Sequence, residues 1–318
     1  MTATADVSRT RAWLMAARPQ TLPAGAAPVL LGTGLAVHES VFAPLTAVAA
    51  LVGALLIQIG TNFANDYFDA VKGTDDPDRE GFTRVTAGGL IEPGRVKLAM
   101  VATYALAILV GVYLVLVGGV PIVVVGLSGI VAGILYTGGP YPYGYYGLGD
   151  LFVFVYFGVV AVTGTYYVQA AAVLPGIGTF PTGIPAGTLP PAALVTSLAA
   201  AGLSTAILVV NNVRDREEDA AAGKRTLAVI VGYTWSRGEF VAEVALAYAV
   251  PVGLWHGRCF QPTVLLPLLS LPLALVVTRT VLTRTDGEAL NPALERTGQL
   301  LALHSVLFAL GLAAPVVM

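Results

Sequence analysis

The chain is divided into apolar runs of about 20 residues, and this repetition constrains the fold more than any single motif does. A helical run of that length matches the hydrocarbon thickness of a bilayer, and in lipid every backbone polar group must be paired within the segment. The runs fall at roughly 21–38, 43–66, 97–117, 120–137, 150–173, 191–212, 239–256, 262–280 and 297–317. The expectation is therefore an all-α polytopic membrane protein with about nine transmembrane helices. Composition agrees, since 56% of the residues are hydrophobic and 11% charged, where a soluble domain carries about 25% charged residues. Residues 1–318 then form a single domain. It has a polar tail at 1–11, long polar loops at 67–96 and 213–238, and an uncharged Gly/Pro-rich connector at 174–190.

Charge placement orients this bundle. Arg9, Arg11 and Arg18, the bases of both long loops, and Arg279, Arg284 and Arg296 all fall on one side. Of the 17 Lys and Arg, only Arg258 falls on the other. The positive-inside rule makes the rich side cytoplasmic and places the amino terminus there, in a multi-pass protein of the cell membrane. A single cysteine, Cys259, excludes an intramolecular disulfide and a thiol–metal cluster. A cleaved signal peptide is not expected, because Arg18-Pro19 interrupts the first apolar run, although Ala24-Gly25-Ala26 resembles a cleavage site.

Two polar stretches stand at span ends on the base-rich side. Gln58, Asn62 and Asp66 recur at i, i+4, i+8, and Asp69 follows three residues later. Asn211, Asp215 and Asp219 repeat the spacing. In a helix such positions share one face. Ionisable groups at membrane depth are costly and usually face a cavity with a partner, so the duplication points to one shared site and to a pseudo-repeat. Aspartates with asparagine neighbours are hard oxygen ligands that suit Mg²⁺. Lys72, Arg79 and Arg84 follow the first stretch and Lys224 and Arg225 the second, which completes a clamp for a diphosphate. Asp75, Asp76, Asp78, Glu217 and Glu218 read as solvated loop charges. No Walker loop or dinucleotide fingerprint is present, so a nucleotide is not favoured, and no nucleic-acid partner is expected. A cation-coupled transporter also uses intramembrane Asp and Asn on repeated helices. Its site lies near the midplane on broken helices, whereas both acidic sets here lie at one face.

NDYFD at 65–69 and DREED at 215–219 resemble the two aspartate motifs of the UbiA superfamily of intramembrane prenyltransferases. ARPQTLPAGAAPVLLGTG (17–34), RVTAGGLI (84–91), YTGGPYPYGYYGLGD (136–150), VAVTGTYYVQ (160–169) and NNVRDREEDAAAGKRTLAV (211–229) are similar to its naphthoate-prenylating branch. The similarity runs in order through the first six spans; after about Tyr233 only a generic apolar pattern is visible.

The resemblance implies a central cavity open to the cytoplasmic face and to lipid. It implies Mg²⁺-dependent transfer of a polyprenyl group from polyprenyl diphosphate to 1,4-dihydroxy-2-naphthoate, with loss of CO₂ and diphosphate, giving demethylmenaquinone in its reduced, quinol form. Carried residue by residue, Asn65, Asp66 and Asp69 would hold one Mg²⁺, and Asp215 and Asp219 a second, the four aspartates being the catalytic groups. Asn62, Asn211 and Asn212 would support them, and Arg84, Lys224 and Arg225 would take the diphosphate. Arg18, Tyr136 and Asp150 would face the acceptor, with Asp150 equally readable as a helix cap. Tyr141, Tyr143, Tyr145 and Tyr146 could flank a carbocation, but an interfacial aromatic belt is the favoured reading. His304 reads as a packed neutral histidine. Two departures fit the naphthoate branch. Gly73 stands where the superfamily's longer first motif has a further Asp, and Pro140 stands where many members have Lys. Homogentisate or a glycerol phosphate lipid precursor remains the alternative acceptor.

Overall fold

The computed structural model describes residues 7–73, 85–257 and 260–314. Every regular element among them is helical: α1 (Arg9–Ala17), α2 (Leu22–His38), α3 (Pro44–Lys72), α4 (Pro93–Leu135), α5 (Gly149–Val173), α6 (Pro191–Arg214), α7 (Arg216–Ala221), α8 (Leu227–His256), α9 (Pro262–Thr283) and α10 (Gly287–Ala313). The starts are written in the sequence. Proline opens α3, α4, α6 and α9, where its missing N–H costs no bond. Ser8 caps α1 by accepting from Arg11 N at 3.3 Å, and Asp286 caps α10 by accepting from Ala289 N at 3.0 Å. Gly73 ends α3 in the left-handed conformation at φ 67°, so a glycine at that position stops the helix after Lys72.

Helix α4 has 43 residues and would be about 65 Å long if straight, twice the hydrocarbon thickness. It reverses at Gly119 (φ 63°, ψ −149°). The returning limb comes back beside the outgoing one. A Cβ on Gly133 would lie 2.9 Å from the Tyr104 hydroxyl, which itself pairs with Thr61 Oγ1 at 3.1 Å. The connector covers the corner: Val120 N donates to Pro181 O at 2.9 Å, and a Cβ on Gly119 would overlap that oxygen. Among the described residues, the eight helices long and apolar enough to cross a membrane thus give nine crossing segments, as the apolar runs lead one to expect.

The polar ends differ from expectation. Residues 67–72 continue α3 as helix, and 213–238 holds α7 and the first turns of α8, with a break at Gly232 (φ 77°, ψ 174°). Hydropathy marks only the lipid-facing part of a helix, and these helices run on past it. At the centre, α6 is almost wholly enclosed. Its Ala199, Ala200, Ala201 and Gly202 let neighbouring backbones close in, with Gly158 of α5 directly against Ala201.

Candidate active site

A cavity of about 630 Å³ lies among α2, α3, both limbs of α4, α5 and α6. Its mouth is polar and its depth apolar. Along α3 its wall runs from Asp69 to Ala50, which is about 28 Å of helix and close to the thickness of the hydrocarbon layer. Ile108, Val112 and Leu127 line it yet remain 49%, 51% and 54% exposed, so the slot opens on its flank.

The two acidic stretches meet at the mouth through Tyr145, in the short 3₁₀ turn Tyr143–Tyr146. Its hydroxyl donates to Asp69 Oδ1, and its ring carries Lys72 Nζ at 5.3 Å and Lys224 Nζ at 4.9 Å from the centroid. Its carbonyl accepts from Arg225 N at 2.8 Å. Lys224 in turn lies 3.7 Å from Asp219 Oδ1. Lys72 Nζ also donates to the carbonyls of Thr137 (2.6 Å) and Gly139 (3.0 Å), while Thr137 Oγ1 donates to Asn65 Oδ1 at 3.0 Å. One tyrosine therefore ties α3 to the α7–α8 loop.

Asp215 sits where α6 stops and α7 starts. Arg214 Nε and Nη2 donate to its two oxygens at 2.6 and 2.8 Å, and the same guanidinium reaches Asn211 Oδ1 (2.7 Å) and Asn291 Oδ1 (2.9 Å). With side chains 1% and 3% exposed, this is a buried bidentate pair.

Of the residues singled out in the sequence, Arg18, Asn62, Asn65, Asp69, Tyr136, Asn211, Asn212, Asp215, Asp219 and Lys224 line the cavity. Asp66 does not; it is buried, and its Oδ2 accepts from both the amide (3.1 Å) and the hydroxyl of Thr86. Its Oδ1 makes no hydrogen bond among the described residues. Asp150 is also held back from the wall, taking Asn212 Nδ2 at 3.4 Å on each oxygen. Arg225 is exposed, and among the described residues it bonds through its backbone N–H to Tyr145 O. Arg84, like Arg79 and the acids at 75–80, lies outside the described residues. Tyr143 also lines the cavity, edge-on to Tyr136 at 5.4 Å, whereas Tyr141 and Tyr146 are exposed in the manner of an interfacial belt. Arg214, Thr86 and the bridging role of Tyr145 are additions that the sequence reading lacked. His304 is fully buried between Tyr248 and Phe308.

Among the described residues no three His, Cys, Asp or Glu side chains converge into a closed metal cage. Mg²⁺ does not need one. It keeps several waters and is commonly held by one or two carboxylates together with substrate phosphates. Asp69 and Asn65 on one wall and Asp215 and Asp219 on the other are oxygen donors of that kind. If the first set holds an ion, the Asp66–Thr86 contact stands behind it as an orienting partner, and partners of this sort are typically worth 10- to 100-fold in metal affinity. Thr86→Val is therefore expected to raise the Mg²⁺ concentration for half-maximal turnover by about tenfold, with little change in rate at saturation. A magnesium titration of the purified variant checks this.

Residues 26–311 match the UbiA prenyltransferase family. A protein of Escherichia coli (strain K12), 1,4-dihydroxy-2-naphthoate octaprenyltransferase, is 39% identical over 96% of this chain and 96% of its own. The protein of that name from Mycobacterium tuberculosis (strain ATCC 25618 / H37Rv) is also 39% identical, over 90% of this chain and 91% of its own. Among solved structures, the apo form of a UbiA homologue from Aeropyrum pernix K1 superposes with a TM-score of 0.67 at 12% identity, covering 88% of this chain and 96% of that one. A homologue from Archaeoglobus fulgidus bound to DMAPP and Mg²⁺ gives 0.58 at 15% identity, covering 93% and 98%. Likeness at those identities is of fold. The family match reaches well past Tyr233, so the last three spans carry more than a generic apolar pattern. By a match over most of its length and by relatives alike from end to end, the chain belongs to the UbiA prenyltransferase family.

Proposed function

We propose that the protein transfers a polyprenyl group from polyprenyl diphosphate to 1,4-dihydroxy-2-naphthoate, releasing diphosphate and CO₂, at the cytoplasmic face of the cell membrane. The observation that carries this reading is the junction at Tyr145, which joins two acidic stretches and two lysines at the head of an apolar slot as deep as the membrane core. A substrate with a charged head and a long apolar tail suits that shape. The names of the relatives from Escherichia coli and Mycobacterium tuberculosis support the choice of acceptor. The skew of basic residues supports the cytoplasmic placement of the mouth and of the amino terminus.

Asp69 with Asn65 and Asp66 Oδ1, and Asp215 with Asp219, would hold the two ions. When bound, Mg²⁺ neutralises charge growing on the departing diphosphate. Lys224, on the cavity wall, would meet the same oxygens, while Lys72 stays on the Tyr145 ring and the carbonyls of Thr137 and Gly139, and Arg214 keeps Asp215 in place, with Asn211 and Asn291 fixing the guanidinium. As the allylic C–O bond breaks, its electron pair leaves with diphosphate. The ring carbon bearing the carboxylate supplies the pair for the new C–C bond, and CO₂ departs, returning its bonding pair to the ring. The balance needs no external base. The apolar walls below the mouth would keep water from the cation, and Tyr136 and Tyr143 stand in the same lining.

The test is a transfer assay in lipid, with and without Mg²⁺, following diphosphate and CO₂ together. Equal, Mg²⁺-dependent release of both is expected. Diphosphate without CO₂ from homogentisate or a glycerol phosphate would move the protein to another acceptor, and no release with any acceptor would overturn the reading.

The slot also has a measurable depth. Gly53, Gly111, Gly126 and Gly129 line it, and a Cβ on any of them would meet no atom within 4 Å. Side chains added there would occupy the space of the tail. Gly126→Phe is expected to lower kcat/KM for long prenyl diphosphates about tenfold or more while sparing the shortest, as judged by competing chain lengths in one assay.

A further inference from the structure

Gln58 lies on α3 one turn below Asn62, on the cavity wall and 7% exposed. Its amide orientation is fixed by hydrogen-bond logic. The Thr21 hydroxyl donates its only hydrogen to Arg18 O at 2.9 Å, so toward other groups it can only accept. Two amides come to it: Asn62 Nδ2 at 2.9 Å and Gln58 Nε2 at 3.1 Å. Flipping Gln58 would set its carbonyl oxygen against the lone pairs of Thr21. The Gln58 Oε1 atom is thereby held in the wall, buried, and no group among the described residues donates to it. A buried acceptor left without a donor costs about 1–3 kcal/mol, so this atom calls for a hydrogen from what the cavity holds.

Each part of the proposed substrates can be asked to supply it. An ionised diphosphate offers only acceptors, and a prenyl tail has no polar hydrogen. The ring hydroxyls of the acceptor are the remaining donors. Ser204 and Thr226 also belong to the lining, with buried hydroxyls unpaired among the described residues, but a hydroxyl turns to give or take and so selects nothing. From Asn65 to Gln58 is about 10 Å along α3, which places Gln58 below the diphosphate mouth, beside Arg18, whose carbonyl belongs to the same network. We propose that Gln58 is a specificity-determining residue that accepts a hydrogen bond from one ring hydroxyl of a dihydroxy aromatic acid, with Thr21 and Asn62 as positioning residues that fix its orientation. This rests on the proposed prenyl transfer.

The test uses the full chain in lipid. The 1,4-diol is the substrate, and the two monohydroxy-2-naphthoates serve as competitive inhibitors, so that ring reactivity does not enter the comparison. In the wild type one of the two, the one lacking the recognised hydroxyl, is expected to bind about tenfold or more weakly than the other. In Gln58→Leu that gap closes, KM for the diol rises by about the same factor, and KM for prenyl diphosphate stays within about twofold. Equal binding of both inhibitors to the wild-type protein overturns the inference without any variant. So does a gap that survives in Gln58→Leu, or a change confined to the prenyl diphosphate. Wild-type protein that turns over no dihydroxynaphthoate overturns the proposed function and this inference with it, whereas active protein without discrimination overturns the inference alone.

Discussion

Asp69→Asn should leave a folded protein whose turnover falls by about 10³-fold, or about 4 kcal/mol of transition-state stabilisation. Asparagine has nearly the shape of aspartate and keeps an oxygen to accept from Tyr145, so the link between α3 and the 143–146 turn survives. The loss is the charge that, under the proposed function, would face the metal and the diphosphate. Rates of diphosphate release in lipid, taken over a magnesium series, provide the measurement. Turnover within tenfold of wild type, or rescue by excess Mg²⁺ to the full rate, would remove Asp69 from the metal set. Asp69 is a better choice than Asp215 because of Arg214. Removing the Asp215 carboxylate strands a buried guanidinium, and an unpaired buried charge costs about 3–5 kcal/mol, so folding would fail before chemistry could be read.

Gly119→Val should prevent the protein from accumulating in a folded state, with a loss of about 4 kcal/mol or more. Two independent terms add. A φ of 63° with ψ of −149° is essentially reserved for glycine, and a β-branched residue is the worst substitute for it. The new Cβ would also overlap the Pro181 carbonyl oxygen, a backbone atom that cannot swing away as a side-chain end can. The hairpin could relax only by lifting the 174–190 connector from the corner, breaking the bond from Val120 N. Thermal unfolding in detergent, or the yield of monodisperse protein, gives the readout. Gly126→Ala is the matched control, since its Cβ meets open space and should cost about 1 kcal/mol or less.

How much of this was legible beforehand differs by element. The apolar runs carry nearly all of the fold, because lipid leaves a chain no alternative to helix, and the break between 97–117 and 120–137 shows in the sequence as Gly118-Gly119. The polar face of α3 marks one wall of the cavity, since Gln58, Asn62 and Asp69 line it, although Asp66 of the same face does not. What stays hidden are contacts that join distant positions. Nothing marks Tyr145 out from the three tyrosines around it, since its role comes from where the turn sets its hydroxyl. Asp66 turns to Thr86 and Asp150 to Asn212 across gaps that no periodicity reports. Arg214 and Asp215 are adjacent, and on a continuous helix adjacent side chains diverge. They meet because the helix stops at Asp215, and that stop lies inside what reads as one helical face.

The open flank of the slot has a consequence for how the protein encounters its reactants. A tail that enters between Ile108, Val112 and Leu127 arrives from the bilayer, and a prenylated product can return the same way, while diphosphate departs into water. Encounter with the prenyl donor is then a two-dimensional event whose frequency follows the donor's mole fraction in the lipid. Adding inert lipid at fixed amounts of protein and donor would slow the reaction, whereas adding buffer would not. A concentration quoted per litre has little meaning for this substrate; the surface it occupies is the volume that counts.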